Sequence, residues 1–348
     1  MTYRQTARKQ QYSIARKHGA LHSTLRSTAA TATINPQRNR AIQSNITGLA
    51  LFLAKFLSGK GNITVSTDKY SGGYAISKTA KGYDIVVPDW ETYNLPLNDK
   101  DKYRIYRSGV WHESCHARFT PKDVFTFGTD QVKVTEPLVH DVINILEDRR
   151  IEDLGVTQWK GYVPERIFTN AYAWSRRMDV GEFWNTYLKQ EFDETKGEYK
   201  DPNYNWVKTR VANMRHEAFL QRLLVGKIKG ERIIPTVERD KIERAAKKVE
   251  EEYAKLENKD DKTIFGRLAY LTNKVINDLE LKYWQPPITQ VGESSWDQTF
   301  KPKPPLPSKD KQEVKAGIDD YFDEIMNVEF VCEKCGKHYA RKFGVRED

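Results

Sequence analysis

Residues 107–120 read Arg107-Ser108-Gly109-Val110-Trp111-His112-Glu113-Ser114-Cys115-His116-Ala117-Arg118-Phe119-Thr120. The run from Asn98 to Thr120-Pro121 predicts a helix, with Asn98 or Asp99 as N-cap. On it His112 and His116 stand one turn apart on the same face, so both imidazoles can reach one ion. Neutral imidazole suits Zn²⁺, with bonds of about 2.0–2.1 Å. Glu113 lies about 100° round the helix from His112, within reach of a metal-bound water without being a ligand. There it can act as general base while the ion lowers the water's pKa and polarises a carbonyl.

A zinc site with two imidazoles needs a third protein ligand and an open position. A second helix, expected from about Glu136 to Leu154, offers one, with Thr135 as N-cap, Pro137 in its first turn and Gly155 just past its end. Leu138, Val139, Val142, Ile143, Ile145, Leu146 and Leu154 make it apolar on most sides, as a buried helix is. His140, Asn144 and Glu147 fall within roughly 60° of one another, and a polar stripe on a buried helix must be satisfied. Glu147 is the expected third ligand. His140 is its rival and would complete an all-histidine site. Asn144 and Asp148 are expected to hold an imidazole N–H or to fix the helix pair. His140, Tyr162 and Tyr172 are candidates for the group that helps the metal stabilise an oxyanion. The reading without metal has His140 and Glu147 satisfying each other or an Arg inside the core.

Residues 107–120 resemble the HExxH helix of a group of zincin-like proteins. These are the metallopeptidase-like proteins found beside or fused to von Willebrand A domains and related to the CobT subunit of cobalt chelatase. Asn144-Ile145-Leu146-Glu147-Asp148-Arg149-Arg150-Ile151-Glu152 is similar to the second half of their signature, N-x-x-E-D-x-R-I-E. The resemblance covers residues 46–180 or so. It implies a gluzincin-type zinc metallopeptidase in which His112, His116 and Glu147 bind Zn²⁺ and Glu113 is catalytic. The substrate would be a peptide or protein segment laid along an edge strand. The group is common in phages and includes parts of ATPase-driven machines. An ATPase or von Willebrand A partner and association with a virion are therefore implied as well. The chain departs from the pattern in having no D-x-S-x-S motif. Ile151 breaks the E-x-x-x-D spacing of thermolysin-like enzymes, so Asp148 would have to replace that Asp. Cys115 stands where a small residue is usual and reads as a core residue. Two other functions remain open. One is a non-catalytic structural or assembly component, which has no chemical need for Glu113. The other is a DNA-associated protease like the SprT group, which uses a third His soon after the HExxH, whereas the next here is His140.

The 348 residues suffice for one large domain or two ordinary ones, and 8 Trp with 18 Tyr exclude a wholly disordered chain. The longest apolar run, Ile46 to Leu57, is broken by Lys55 and is too short to span a bilayer. Three cysteines cannot build a disulfide framework, so a reducing, cytoplasmic compartment is expected. Residues 1–67 hold ten basic side chains and no acid; removing those from the 57 leaves 47 against 48 acidic residues. Such an arm suits nucleic acid or an anionic surface, and its composition also matches a mitochondrial presequence.

The expected organisation is a basic N-terminal arm (1–45), a zincin-like catalytic core (46–156), a helical second lobe (157–285), a Pro-rich linker (286–311) and a tail (312–348). The tail carries a short helix and a CxxC knuckle. The expected fold class is α+β and mostly helical. A small antiparallel meander of Ile63–Thr67, Tyr74–Lys78 and Tyr83–Pro88 would lie over the HExxH helix and a second buried, ligand-bearing helix. Cys332, Cys335 and His338 could form a second zinc site, three ligands at most. His216-Glu217 lacks a second His and reads as packing or surface.

Overall fold

Ile46, Ala50, Ala54 and Leu57 recur at helical spacing and form the buried stripe of helix α1 (Pro36–Ser58). In the computed structural model this helix starts ahead of the apolar run that announces it, and it ends at Gly59, whose φ of 67° is left-handed. The structure describes residues 36–68, 73–90, 95–125, 137–256, 259–285, 308–326, 329–331 and 338–340.

Three strands follow: β1 (Ile63–Asp68), β2 (Ala75–Thr79) and β3 (Gly82–Pro88). The expected meander is not what forms. The order is β1-β3-β2, with β2 and β3 an antiparallel hairpin and β1 parallel to β3, in register Ile63↔Tyr83. Apolarity explains the order. Ile85 and Val87 of β3 are fully buried and take the centre, while Ala-Ile-Ser-Lys-Thr of β2 is exposed enough to stand at an edge. Gly82, at the hairpin, has a left-handed φ of 153°, and a Cβ there would lie 1.9 Å from the Asn62 carbonyl oxygen.

Helix α2 (Asp99–Phe119) carries the HExxH. Asn98 caps it, its side chain accepting from the Asp101 N–H at 2.9 Å, and Thr120-Pro121 ends it as expected. A one-turn helix α3 (Lys122–Phe125) leads to α4 (Pro137–Gln158). The expected N-cap Thr135 lies outside the described residues. Gly155 does not end α4; it lies within it, at the crossing with α2. A Cβ there would sit 2.6 Å from Cys115 Sγ and 2.7 Å from the Trp111 ring, so the glycine sets how closely the two helices approach. Cys115 is fully buried at this contact, and burial pushes its thiol well above the usual range.

The rest is mostly helix: α5 (Val163–Arg176), α6 (Val180–Tyr187), α7 (Asn205–Leu220), α8 (Thr236–Tyr253), α9 (Asp261–Asp278) and α10 (Ser308–Met326). A small hairpin of β4 (Phe192–Asp193) and β5 (Glu198–Tyr199) precedes α7. The charged α8 behaves as an amphipathic element, burying Ile242, Ala246 and Val249 while Glu243 pairs with Arg222. One apolar core runs from Ile46 through Val142, Phe168 and Phe219 to Tyr321 of α10, so residues on both sides of the expected boundary at 156 share it. Strands β6 (Glu329–Val331) and β7 (His338–Ala340) pair near the C-terminus. Cys332, Cys335 and the His338 side chain lie outside the described residues, as do the arm to residue 35 and most of the linker. No described helix is long and apolar enough to cross a membrane.

Candidate metal centre

Helices α2 and α4 each present a pair of polar side chains one turn apart, and the two pairs meet. His112 and His116 come from α2; Asp148 and Glu152 come from α4. Asp148 Oδ1 lies 3.1 Å from His116 Nε2 and 3.5 Å from His112 Nε2. The other ring nitrogens are held from behind. His112 Nδ1 is 3.1 Å from Glu152 Oε1, and His116 Nδ1 is 2.9 Å from the hydroxyl of Thr120, the residue that caps α2. Both imidazoles are thereby oriented with Nε2 towards one carboxylate oxygen.

Among the described residues, His112, His116 and Asp148 are the group whose ligand atoms, all within 4.8 Å of one another, could hold a metal ion. Two features test the fit. Ligand atoms at 2.0–2.1 Å around a tetrahedral ion are separated by roughly 3.3 Å, and the two Nε2–Oδ1 distances bracket that value. The second oxygen of Asp148 is buried with no hydrogen-bond partner among the described residues, and a cation at the trio would offset the charge of this carboxylate. Burial works against protonation of His112, but hydrogen bonds and charge from Asp148, then Glu152 and Glu113, raise its pKa well above the usual imidazole value. Burial would raise Asp148, yet the two imidazoles bring it down to about 2.

Glu147, the expected third ligand, is directed elsewhere. Its carboxylate, wholly buried, takes both prongs of the Arg150 guanidinium at 2.6 and 2.7 Å. Arg150 also donates to the Phe119 carbonyl at 2.6 Å, so this pair clamps the C-terminal end of α2 rather than facing an ion. His140 and Asn144 also stand outside the trio. Of the proposed oxyanion groups, Tyr162 stacks on Trp111 at 5.4 Å and Tyr172 is sealed in the core. His216 and Glu217 are packing and not surface: His216 Nε2 is 2.7 Å from Asp141, and Glu217 pairs with Arg177.

Glu113 is buried beside the two imidazoles. Burial raises its pKa, against the pull of His112 and His116. With His112 it lines a cavity of about 40 Å³, room for a few water molecules. Tyr74, Arg166 and Thr169 are on the same wall. Arg166 contacts Glu152 Oε2 at 2.9 Å and donates to Asp153 Oδ1 at 2.8 Å, so the carboxylate behind His112 is itself braced. Arg166, Thr120 and Tyr74 had no distinguishing signal in the sequence. Glu152 had one, standing four residues after Asp148 as His116 does after His112.

No protein-family profile, curated protein or solved structure matches the chain.

Proposed function

We propose that the protein is a zinc-dependent metallopeptidase with His112, His116 and Asp148 as ligands and Glu113 as general base. The carrying observation is the convergence of two oriented Nε2 atoms on one Asp148 oxygen, beside a buried carboxylate that lines a cavity with room for a few waters. It is a His/His/Asp set and not the His/His/Glu set of gluzincins. Zn²⁺ bound there would supply Lewis acidity, polarising a carbonyl and acidifying water. Glu113, its pKa raised by burial, takes the proton from the attacking water onto a carboxylate oxygen and delivers it to the leaving amine. Glu152 and Thr120 keep the Nδ1 protons of the imidazoles on their far sides. Tyr74, on the cavity wall, directly precedes the edge strand β2, so a substrate strand added along β2 would run past Glu113.

The test is zinc content by elemental mass spectrometry together with hydrolysis of a peptide library, in wild type and Glu113→Gln. The variant is expected to keep one equivalent of zinc and to lose about 10²–10⁴-fold in rate. A wild type that takes up no metal on reconstitution, or a Glu113→Gln variant that hydrolyses as fast as wild type, overturns the proposal. The tightness of the cavity favours one rival, a zinc-bearing assembly component without turnover. Zinc uptake with no hydrolysis of any library peptide would support that rival.

A further inference from the structure

Two helices contribute hydroxyls to the cavity beside Glu113: Ser108 from α2 and Thr169 from α5. Both hydroxyl oxygens are buried, and neither has a hydrogen-bond partner among the described residues. A helical Ser or Thr normally satisfies itself on the carbonyl four residues back, as Ser114 does on Val110 at 2.6 Å and Thr272 on Leu268 at 2.9 Å. Ser108 and Thr169 forgo that bond, and a buried hydroxyl without a partner destabilises the fold unless water or ligand satisfies it. The space is small and one wall is firm. The Tyr74 ring lies against the α2 backbone at Gly109, where a Cβ would come 2.4 Å from it. Charge narrows the choice further. Among the described lining residues, Arg166 is engaged by Glu152 and Asp153 and His112 by Asp148 and Glu152, so neither is free to pair with an acidic group, which Glu113 would repel.

We infer that this cavity is a side-chain pocket that selects a small neutral residue bearing a hydroxyl or amide (Ser, Thr or Asn) next to the bond cleaved. The inference rests on the peptidase reading. Its hydrogen-bonding groups are Ser108 and Thr169, and its size limit is set by Tyr74 over Gly109.

The experiment is cleavage-site profiling of zinc-loaded wild type, Ser108→Ala and Thr169→Val on a mixed peptide library. Calorimetric binding of a peptide pair differing only in Thr against Val, measured on zinc-loaded Glu113→Gln, accompanies it. Enrichment of Ser, Thr or Asn at one position flanking the cut is expected, with a Thr-over-Val preference of roughly tenfold, about one buried hydrogen bond. Each hydroxyl deletion should reduce that preference. Neither should lower the melting temperature, because each removes a group that has no partner among the described residues. Cleavage without such enrichment, or with large apolar residues enriched, overturns the pocket and leaves the peptidase reading intact. Absence of cleavage counts against the peptidase reading; equal binding of the Thr and Val peptides then overturns the pocket as well. A marked loss of stability in Ser108→Ala and Thr169→Val would also overturn it, since the hydroxyls would then have internal partners.

Discussion

Gly155→Ala separates two roles for one residue by the sign of its effect. In an open helical position, replacing Gly by Ala gains about 0.8–1.0 kcal/mol in helix propensity. Gly266 of α9 is such a position, helical and with nothing within 4 Å of where a Cβ would stand, so Gly266→Ala should stabilise by about that amount. At Gly155 the new Cβ would meet Cys115 Sγ at 2.6 Å and the Trp111 ring at 2.7 Å. Both neighbours are buried, so either the helices or these side chains must shift to admit it. Overpacking of this kind costs about 1–3 kcal/mol, which outweighs or cancels the propensity gain and leaves a net loss of roughly 0–2 kcal/mol. The two Gly→Ala variants should therefore differ by about 1–3 kcal/mol in urea denaturation followed by far-UV circular dichroism. Cys115→Ala on the Gly155→Ala background removes the nearer clashing atom and should recover part of the difference. Because His112 and His116 on α2 face Asp148 on α4, pushing these helices apart should also weaken zinc binding. Gly155→Ala stabilising the protein as much as Gly266→Ala would refute the close helix crossing and, with it, the geometry of the trio.

Asp148→Asn is expected to abolish stoichiometric zinc uptake, whereas Glu147→Ala should retain zinc. Glu147→Ala should instead lose about 3–5 kcal/mol of stability, because Arg150 is left buried without its partner; zinc loss in Glu147→Ala and not in Asp148→Asn would reverse the assignment. Glu152→Gln, which weakens the hold on His112 Nδ1, should raise the zinc dissociation constant about 10–100-fold, and an unchanged constant would remove Glu152 from the site. The raised His112 pKa makes zinc compete with a proton, so affinity should rise with pH and binding should release protons, measurable by calorimetry in buffers of different ionisation enthalpy. In the zinc-free protein the sign is opposite: stability from His112 is complete below its unfolded value of 6.5 and is lost as pH rises through its higher folded value. Thermal melts of zinc-free wild type should therefore approach those of His112→Gln at alkaline pH. Asp148 acts at the acid end, contributing stability above 3.8 that disappears as pH falls through about 2.

What could be read from the chain was local. The HExxH pair lies on a helix whose cap, Asn98, and stop, Thr120-Pro121, are within a few residues of the turns they govern. The buried character of α4 was legible from its apolar residues, and the strand limits from their flanking Gly-bearing breaks. Orientation was not legible. A helix apolar on most sides has no preferred face, so a polar stripe at His140, Asn144 and Glu147 looked as ready to meet α2 as the one at Asp148 and Glu152. The tertiary structure selects the second. Gly155 sits on the side of α4 that α2 can approach most closely, and Asp148 and Glu152 share that side, while Glu147 finds Arg150 one turn on.

The sheet follows the same division. Gly82 and its neighbours specify the β2–β3 hairpin because the turn is short, whereas the parallel pairing of β1 with β3 depends on which strand the helices bury, and that is decided at long range. The sequence by itself therefore determined the residue types and helical spacing able to bind a metal, through backbone and capping rules that act within a turn or two. Only the tertiary structure decided which carboxylate meets the two imidazoles, because the rotation of a buried helix is set by close packing at Gly155 and by ion pairs between residues far apart in the chain.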